Sequence, residues 1–310
     1  MQVDPRRSIK LTFALGAIYL IWGSSFLFSK IAVTHLPFAM FAGIRFLTAG
    51  VSLALIARYW NGDPWPSDGA ELRHVTIAGF SMVFASNGLN AWALQYIPTH
   101  ESALLNSTSA FWIAGLGVYG KRGHPLSRRA FLGLIIGFIG TILMLLPHSH
   151  VSPTLMLAKF GVLAACLAWS LGTLYYRSID TQLSSLMFVG LQMLIGGAML
   201  LGIGLAGGEP AHFTFNLPGL IALLYLTFFS SCLAYSAYAW LALNAAPAVI
   251  GTYGYVNPAI AAFLGWQFLD ETLARRQIAG MLIIILAVAL LTLPGGSLID
   301  RKILAEPKSQ

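Results

Sequence analysis

The sequence predicts an all-α integral membrane protein with ten transmembrane helices arranged as two inverted five-helix repeats. Three observations predict it. Of 310 residues, 57% are hydrophobic and only 9% are charged, where a soluble domain carries roughly 25% charged residues. Apolar stretches near the ~20 residues that cross a bilayer recur ten times. Matching residues also recur 147 positions apart, as Trp22 and Trp169 do.

The expected spans are roughly 11–31, 38–57, 75–97, 101–119, 130–147, 155–175, 184–206, 217–241, 247–269 and 276–294. Connections between them are short, which leaves no room for a separate soluble domain. Residues 6–31 imitate a signal peptide, but no small-residue cleavage site is evident and nine spans follow, so the first span is expected to be retained.

The basic excess, 18 Lys+Arg against 11 Asp+Glu, is placed for a membrane and not for nucleic acid. With the N-terminus cytoplasmic, Arg6, Arg7, Lys10, Arg58, Arg73, Lys121, Arg122, Arg128, Arg129, Arg177, Arg301, Lys302 and Lys308 fall inside. Only Lys30, Lys159, Arg275 and Arg276 fall outside, and Arg45 lies within a span. That is the positive-inside bias, so both termini are expected in the cytoplasm. Cys166 and Cys232 lie inside spans and offer neither a disulfide framework nor a metal motif, and no cofactor is expected.

The repeat begins with WGSSFLFSK at 22–30 and WSLGTLYYR at 169–177. The same offset pairs Gly43 with Gly190, Arg45 with Gln192, Gly50 with Gly197 and Gly133 with Gly280. A two-residue slip aligns Ala93-Leu94…Pro98 with Ala242-Leu243…Pro247. The expected units are 1–150 and 151–300, followed by a cytoplasmic tail, 301–310. Five spans per half is an odd number, so the second half enters from the opposite side. Inverted repeats with a site between them near the midplane are the architecture of alternating-access transporters.

Polar side chains inside spans usually face the bundle interior or water. Trp22, Ser25 and Ser29 share a face of span 1, and Trp169, Thr173 and Tyr176 share the matching face of span 6. Ser86, Asn87 and Asn90 lie in span 3, Ser102, Asn106 and Ser109 in span 4, and Ser231, Tyr235 and Tyr238 in span 8. Span 9 carries Tyr253, Tyr255 and Asn257 just before Pro258. Pro258 cannot donate to the carbonyl of Gly254. Candidate solute-binding residues are therefore Trp22, Ser25, Asn87, Asn90, Asn106, Trp169, Tyr235, Tyr255 and Pro258. Each also has a packing reading: hydroxyls back-bond to their own helix, tryptophans fill cores, and proline kinks a packing helix.

Arg45, Asp270 and Glu271 are expected to be structural. Arg45 would pin span 2 to helix C-terminal carbonyls, with a solute carboxylate as its other reading. Asp270 and Glu271 would satisfy the N-terminus of span 10 and offset Arg275 and Arg276. Lys30 is expected to snorkel to the outer surface. Spans 5 and 10 are nearly all aliphatic and glycine, so they face lipid or a partner such as a second copy. His100 and Glu101 are placed at an outer mouth, and no Asp, Glu or His lies deep in a span. Exchange or facilitated diffusion therefore fits better than proton coupling, and no nucleophile–base set supports an enzyme.

Trp22-Gly23 through Lys30, the Arg45-Phe46 pair, and Pro258 with Gly265…Glu271…Arg276-Gln277…Gly280 together resemble the drug/metabolite transporter superfamily, in its EamA-type branch, over about residues 11–294. The first half departs from the pattern: Ser109 stands in the frame of Pro258, and His124 in that of Glu271. The resemblance implies a small-molecule carrier of the bacterial inner membrane, often an amino-acid or metabolite exporter, with a cavity built from spans 1, 3, 4, 6, 8 and 9. Import of a vitamin, sugar or nucleoside, and a non-transporting scaffold or receptor, remain the alternatives.

Overall fold

The structure, a computed structural model, describes residues 5–117, 128–145, 152–214, 216–245, 253–272 and 275–292. The described residues are helical, with no strand among them. The helices are α1 (Pro5–Ala17), α2 (Gly23–His35), α3 (Phe38–Tyr59), α4 (Gly69–Ala78), α5 (Gly88–Ala93), α6 (Thr99–Asn106) and α7 (Ser109–Leu116). After these come α8 (Arg128–Leu145), α9 (Pro153–Ser178), α10 (Ser185–Ala206), α11 (Leu217–Tyr225), α12 (Tyr235–Asn244), α13 (Tyr253–Leu269) and α14 (Arg275–Thr292). Three π-helical stretches join neighbours into longer rods: Ile18–Trp22 between α1 and α2, Gly79–Asn87 between α4 and α5, and Leu226–Ala234 between α11 and α12. Among the described residues, five rods are long and apolar enough to cross a membrane: Ile9–His35, Phe38–Tyr59, Pro153–Ser178, Ser185–Ala206 and Leu217–Asn244. The chain is a multi-pass membrane protein.

Local chemistry sets the rod ends. Ser184 accepts from Met187 N, Ser152 from Leu155 N and Asn216 from Gly219 N, and each gives its helix a side-chain N-cap. Asp68 caps α4 in the same way. Its first turn, GAELRH, is polar, so the rod begins before the apolar run that first marks it in the sequence. The fourth expected span is two helices. Ser107, Thr108 and Ser109 donate their hydroxyls to the carbonyls of Leu104, Leu105 and Asn106, three residues back. Such local bonds compete with the helical ladder, and α6 ends there. By contrast α13 runs unbroken through Pro258.

Two helix pairs form the frame: α3 packs along α10, and α8 along α14. Glycines bring the first pair to backbone distance, the small-residue packing typical of membrane helices. A Cβ on Gly43 would lie 2.6 Å from Leu201 N, and one on Gly190 would lie 2.7 Å from Ala54 N. On Gly50 it would lie 2.8 Å from Leu194 N, and on Gly197 2.8 Å from Leu47 N. Each contact thus has a counterpart in which both partners exchange halves at the 147-residue offset. The α8–α14 pair keeps an outward apolar face, and its two helices also pack along each other. They bury Ile284 and Ala287 between themselves and their neighbours and expose Phe131, Leu132, Ile135, Phe138 and Leu282 outward.

Candidate functional site

The π-helical stretch Ile18–Trp22, α9, α12 and α13 bring five rings together. Trp22 lies 5.6 Å from Trp169, 6.3 Å from Tyr235, 5.1 Å from Tyr238 and 5.6 Å from Tyr253, centroid to centroid. Trp169 lies 5.4 Å from Tyr235 and 5.1 Å from Tyr238. Several of these contacts are edge to face, the arrangement ring quadrupoles favour. Trp22 Nε1 donates to Ser230 O at 3.3 Å, and Tyr238 OH pairs with Thr173 Oγ1 at 3.0 Å. Tyr235 is 3% exposed, and its hydroxyl has no hydrogen-bond partner among the described residues.

A polar seam adjoins the rings. Asn106 Nδ2 donates to Asn90 Oδ1 at 2.6 Å and to Ser102 O at 2.9 Å, joining α6 to α5. Ser109 Oγ pairs with Tyr253 OH at 3.3 Å, and Ser170 Oγ donates to Ser109 O at 3.1 Å. The Cys166 thiol donates to Leu105 O at 3.4 Å. Asn87 Nδ2 instead bonds Met82 O at 2.7 Å, five residues back in its π-helical stretch, and Ser25 Oγ bonds Trp22 O at 2.8 Å. These two satisfy their own helices. Pro258 is buried in α13, whose inner face packs on α2 and α6. Tyr255 is part of α13, but its side chain lies outside the described residues, as do His124, Pro247 and the 301–310 tail.

At one end of the bundle the charges depart from the expected layout. Among the described residues, Glu271 caps no N–H of the helix that follows it. Its carboxylate accepts from Thr99 N at 2.6 Å, His100 N at 3.3 Å and His100 Nδ1 at 2.8 Å, so it caps α6. Burial works against its ionisation, but the hydrogen bonds from His100 and Thr99 outweigh that and hold the carboxyl down at about 2. Arg275 and Arg276 are exposed, as is Asp270, whose φ of 53° turns the chain out of α13. Lys30 does not snorkel; its Nζ donates to Leu94 O at 2.6 Å and Ile97 O at 3.0 Å. His100 and Glu101 are not at an open mouth, being 1% and 3% exposed, and Glu101 pairs with Lys159, itself 5% exposed. Helix N-termini and carbonyl ends supply countercharges here that hydropathy does not register.

Arg45 meets hydroxyls in place of the expected carbonyls. Nε donates to Ser231 Oγ at 2.8 Å, Nη2 donates to Ser230 Oγ at 3.1 Å, and its Cζ sits 4.6 Å from the Phe46 ring centroid. Ser230 and Cys166 are absent from the candidates drawn from the sequence. For Ser230 the missing signal is the π-helix, which changes the residues that share a face.

The sequence model described as the EamA-like transporter family matches residues 9–146 and 156–293. The chain belongs to the EamA-like transporter family. This EamA-like protein is 31% identical over 290 residues to the uncharacterized inner membrane transporter YedA of Escherichia coli K12, covering 93% of this chain and 92% of that one. It is 25% identical over 285 residues to the uncharacterized transporter YvbV of Bacillus subtilis, covering 89% of each. It is 22% identical over 277 residues to a probable amino-acid metabolite efflux pump of Salmonella typhimurium, covering 86% of this chain and 89% of the pump. One solved crystal structure superimposes with a TM-score of 0.68 at 17% identity, covering 91% of this chain and 97% of that one, which shows a shared fold. The EamA-like chain is thus a membrane transporter of the drug/metabolite transporter type, and its family speaks for transport and not catalysis.

Proposed function

We propose that this protein is an alternating-access carrier that exports an amino acid or related small metabolite from the cytoplasm across the bacterial inner membrane. Its ten spans form two inverted halves, 1–150 and 151–300, with both termini cytoplasmic. The halves rock about a midplane site. The carrying observation is the ring cluster of Trp22, Trp169, Tyr235, Tyr238 and Tyr253, which converges from rods of both halves beside the Asn90–Asn106 pair. Trp22 and Trp169 stack on the solute, Asn90 and Asn106 hydrogen-bond it, and Tyr255 and the carbonyl freed by Pro258 complete the site.

Three relationships support the two-half design. The matched family stretches begin at 9 and 156, 147 residues apart, and end at 146 and 293 with the same displacement. The π-helical stretches Gly79–Asn87 and Leu226–Ala234 stand at that displacement too, as do the glycine contacts of α3 with α10. The name of the Salmonella relative supports the solute class. The outward apolar face of α8 and α14 suits lipid, or a second copy in a homodimer.

Counterflow of labelled amino acids into proteoliposomes tests the carrier reading. Wild type should exchange at least one of a panel, and Trp169→Ala should abolish that exchange. Absence of exchange across a panel of amino acids, sugars and nucleosides would favour a scaffold.

A further inference from the structure

Arg45 is 8% exposed, yet no carboxylate lies within ion-pairing distance of it among the described residues. The comparison with Lys159 is direct: that buried cation has Glu101. A guanidinium carries five N–H donors, and the described partners of Arg45, Ser230 Oγ and Ser231 Oγ, take two. Hydroxyls satisfy donors but leave the charge unneutralised, and an uncompensated charge in a dry interior is strongly unfavourable. The residue at the repeat position, Gln192, is neutral, so only one half holds such a group.

The surroundings of Arg45 lead to the ring cluster. Ser230 and Ser231 lie in the π-helical stretch Leu226–Ala234, a feature often found at functional sites. Ser230 presents its hydroxyl to Arg45 and its carbonyl to Trp22 Nε1. About one turn on from Ser231, Tyr235 holds a buried hydroxyl without a partner, on a ring that contacts both Trp22 and Trp169. A planar cation with spare donors and an unmatched O–H therefore flank one side of an aromatic enclosure. Guanidinium donors match a carboxylate bidentately.

We propose that Arg45, Ser230, Ser231 and Tyr235 form a carboxylate subsite, and that the transported solute carries a carboxylate whose apolar or aromatic body rests on Trp22 and Trp169. This rests on the carrier reading above and names its substrate class. When the solute binds, its carboxylate takes the open guanidinium donors and the Tyr235 hydroxyl. The serine hydroxyls keep the guanidinium in place.

Thermal unfolding of the purified full-length protein tests the subsite, with sodium benzoate, benzamide and sodium chloride as probes at equal concentration. Benzoate should raise the wild-type Tm, and the other two should not. Arg45→Gln should abolish the benzoate effect without lowering the unliganded Tm, because it removes an uncompensated charge. Tyr235→Phe should weaken the benzoate midpoint about tenfold. If Arg45→Gln does not fold, Arg45→Lys takes its place, and it should lose most of the benzoate effect because its point charge lacks the bidentate fork. The subsite is overturned if benzamide stabilises as well as benzoate, if wild type ignores benzoate, or if the Arg45 variant keeps the effect. Counterflow separates the two ideas. A benzoate effect without any exchange sinks the carrier and leaves the subsite standing, and exchange without a benzoate effect does the reverse.

Discussion

The Glu271 carboxylate lies against the backbone of Gly265, so closely that a Cβ on that glycine would stand 2.5 Å from Oε2. Asp270, at φ 53°, makes the turn that folds Glu271 back, and Glu271 N bonds Gly265 O at 3.2 Å. The glycine leaves the carboxylate room to reach Thr99 and His100. Gly265→Ala should therefore displace the clasp and cost about 1 kcal/mol, the value of a lost N-cap. Glu271→Gln should cost a similar amount, and the double variant little more than either alone, because both remove one interaction. Thermal melts of the two single variants and the double variant measure this.

The same carboxylate sets an acid limb. Its folded-state value, about 2, lies below the ordinary 4.5, so the unfolded chain binds the proton more tightly than the folded one. The contribution of Glu271 to stability is complete above about 4.5 and is lost as pH falls towards 2. Glu271→Gln should flatten this part of a Tm-against-pH curve, and an unchanged acid limb would contradict the clasp.

The α3–α10 contact tolerates no added atoms. Gly50→Ala would place Cβ 2.8 Å from both Gly190 O and Leu194 N, and neither backbone atom can rotate away. A loss of roughly 1–3 kcal/mol is expected, the usual cost of overpacking. Gly202, also in α10, has nothing within 4 Å. Gly202→Ala should be neutral or stabilise by up to about 1 kcal/mol through helix propensity. Unfolding in detergent distinguishes the two variants.

Asn106 bridges α6 and α5 with one amide. Asn106→Ala removes its donors to Asn90 Oδ1 and Ser102 O and should cost roughly 0.5–2 kcal/mol. Exchange in proteoliposomes should fall at least about tenfold, one lost hydrogen bond at the site. Asn106→Asp should be worse, since it sets a negative charge against the Asn90 acceptor. A double-mutant cycle with Asn90→Ala should show coupling between the two amides.

How far the sequence carries differs by feature. Rods at 38–57, 184–206 and 155–175 are readable because apolar runs of the right length have few alternatives in a bilayer, and α3, α10 and α9 match them within a few residues. Trp22, Trp169 and Tyr235 are readable as inward-facing because helical spacing puts them on polar faces. The break after Asn106 is not, because three adjacent hydroxyl back-bonds cause it and no proline marks it. Nor are the π-helical stretches, since no residue type signals them.

The chain's composition and its apolar runs determined by themselves that it is helical and membrane-embedded, because hydrocarbon admits few other backbones. Only the tertiary structure decided the partners of its buried charges. Glu271 caps a helix 172 residues away in sequence, Lys30 binds the Leu94 and Ile97 carbonyls between α5 and α6, and Arg45 meets two serines in place of a carboxylate. A charge's partner is set by distance in space and by the ends of helices, and neither is written in the order of residues along the chain.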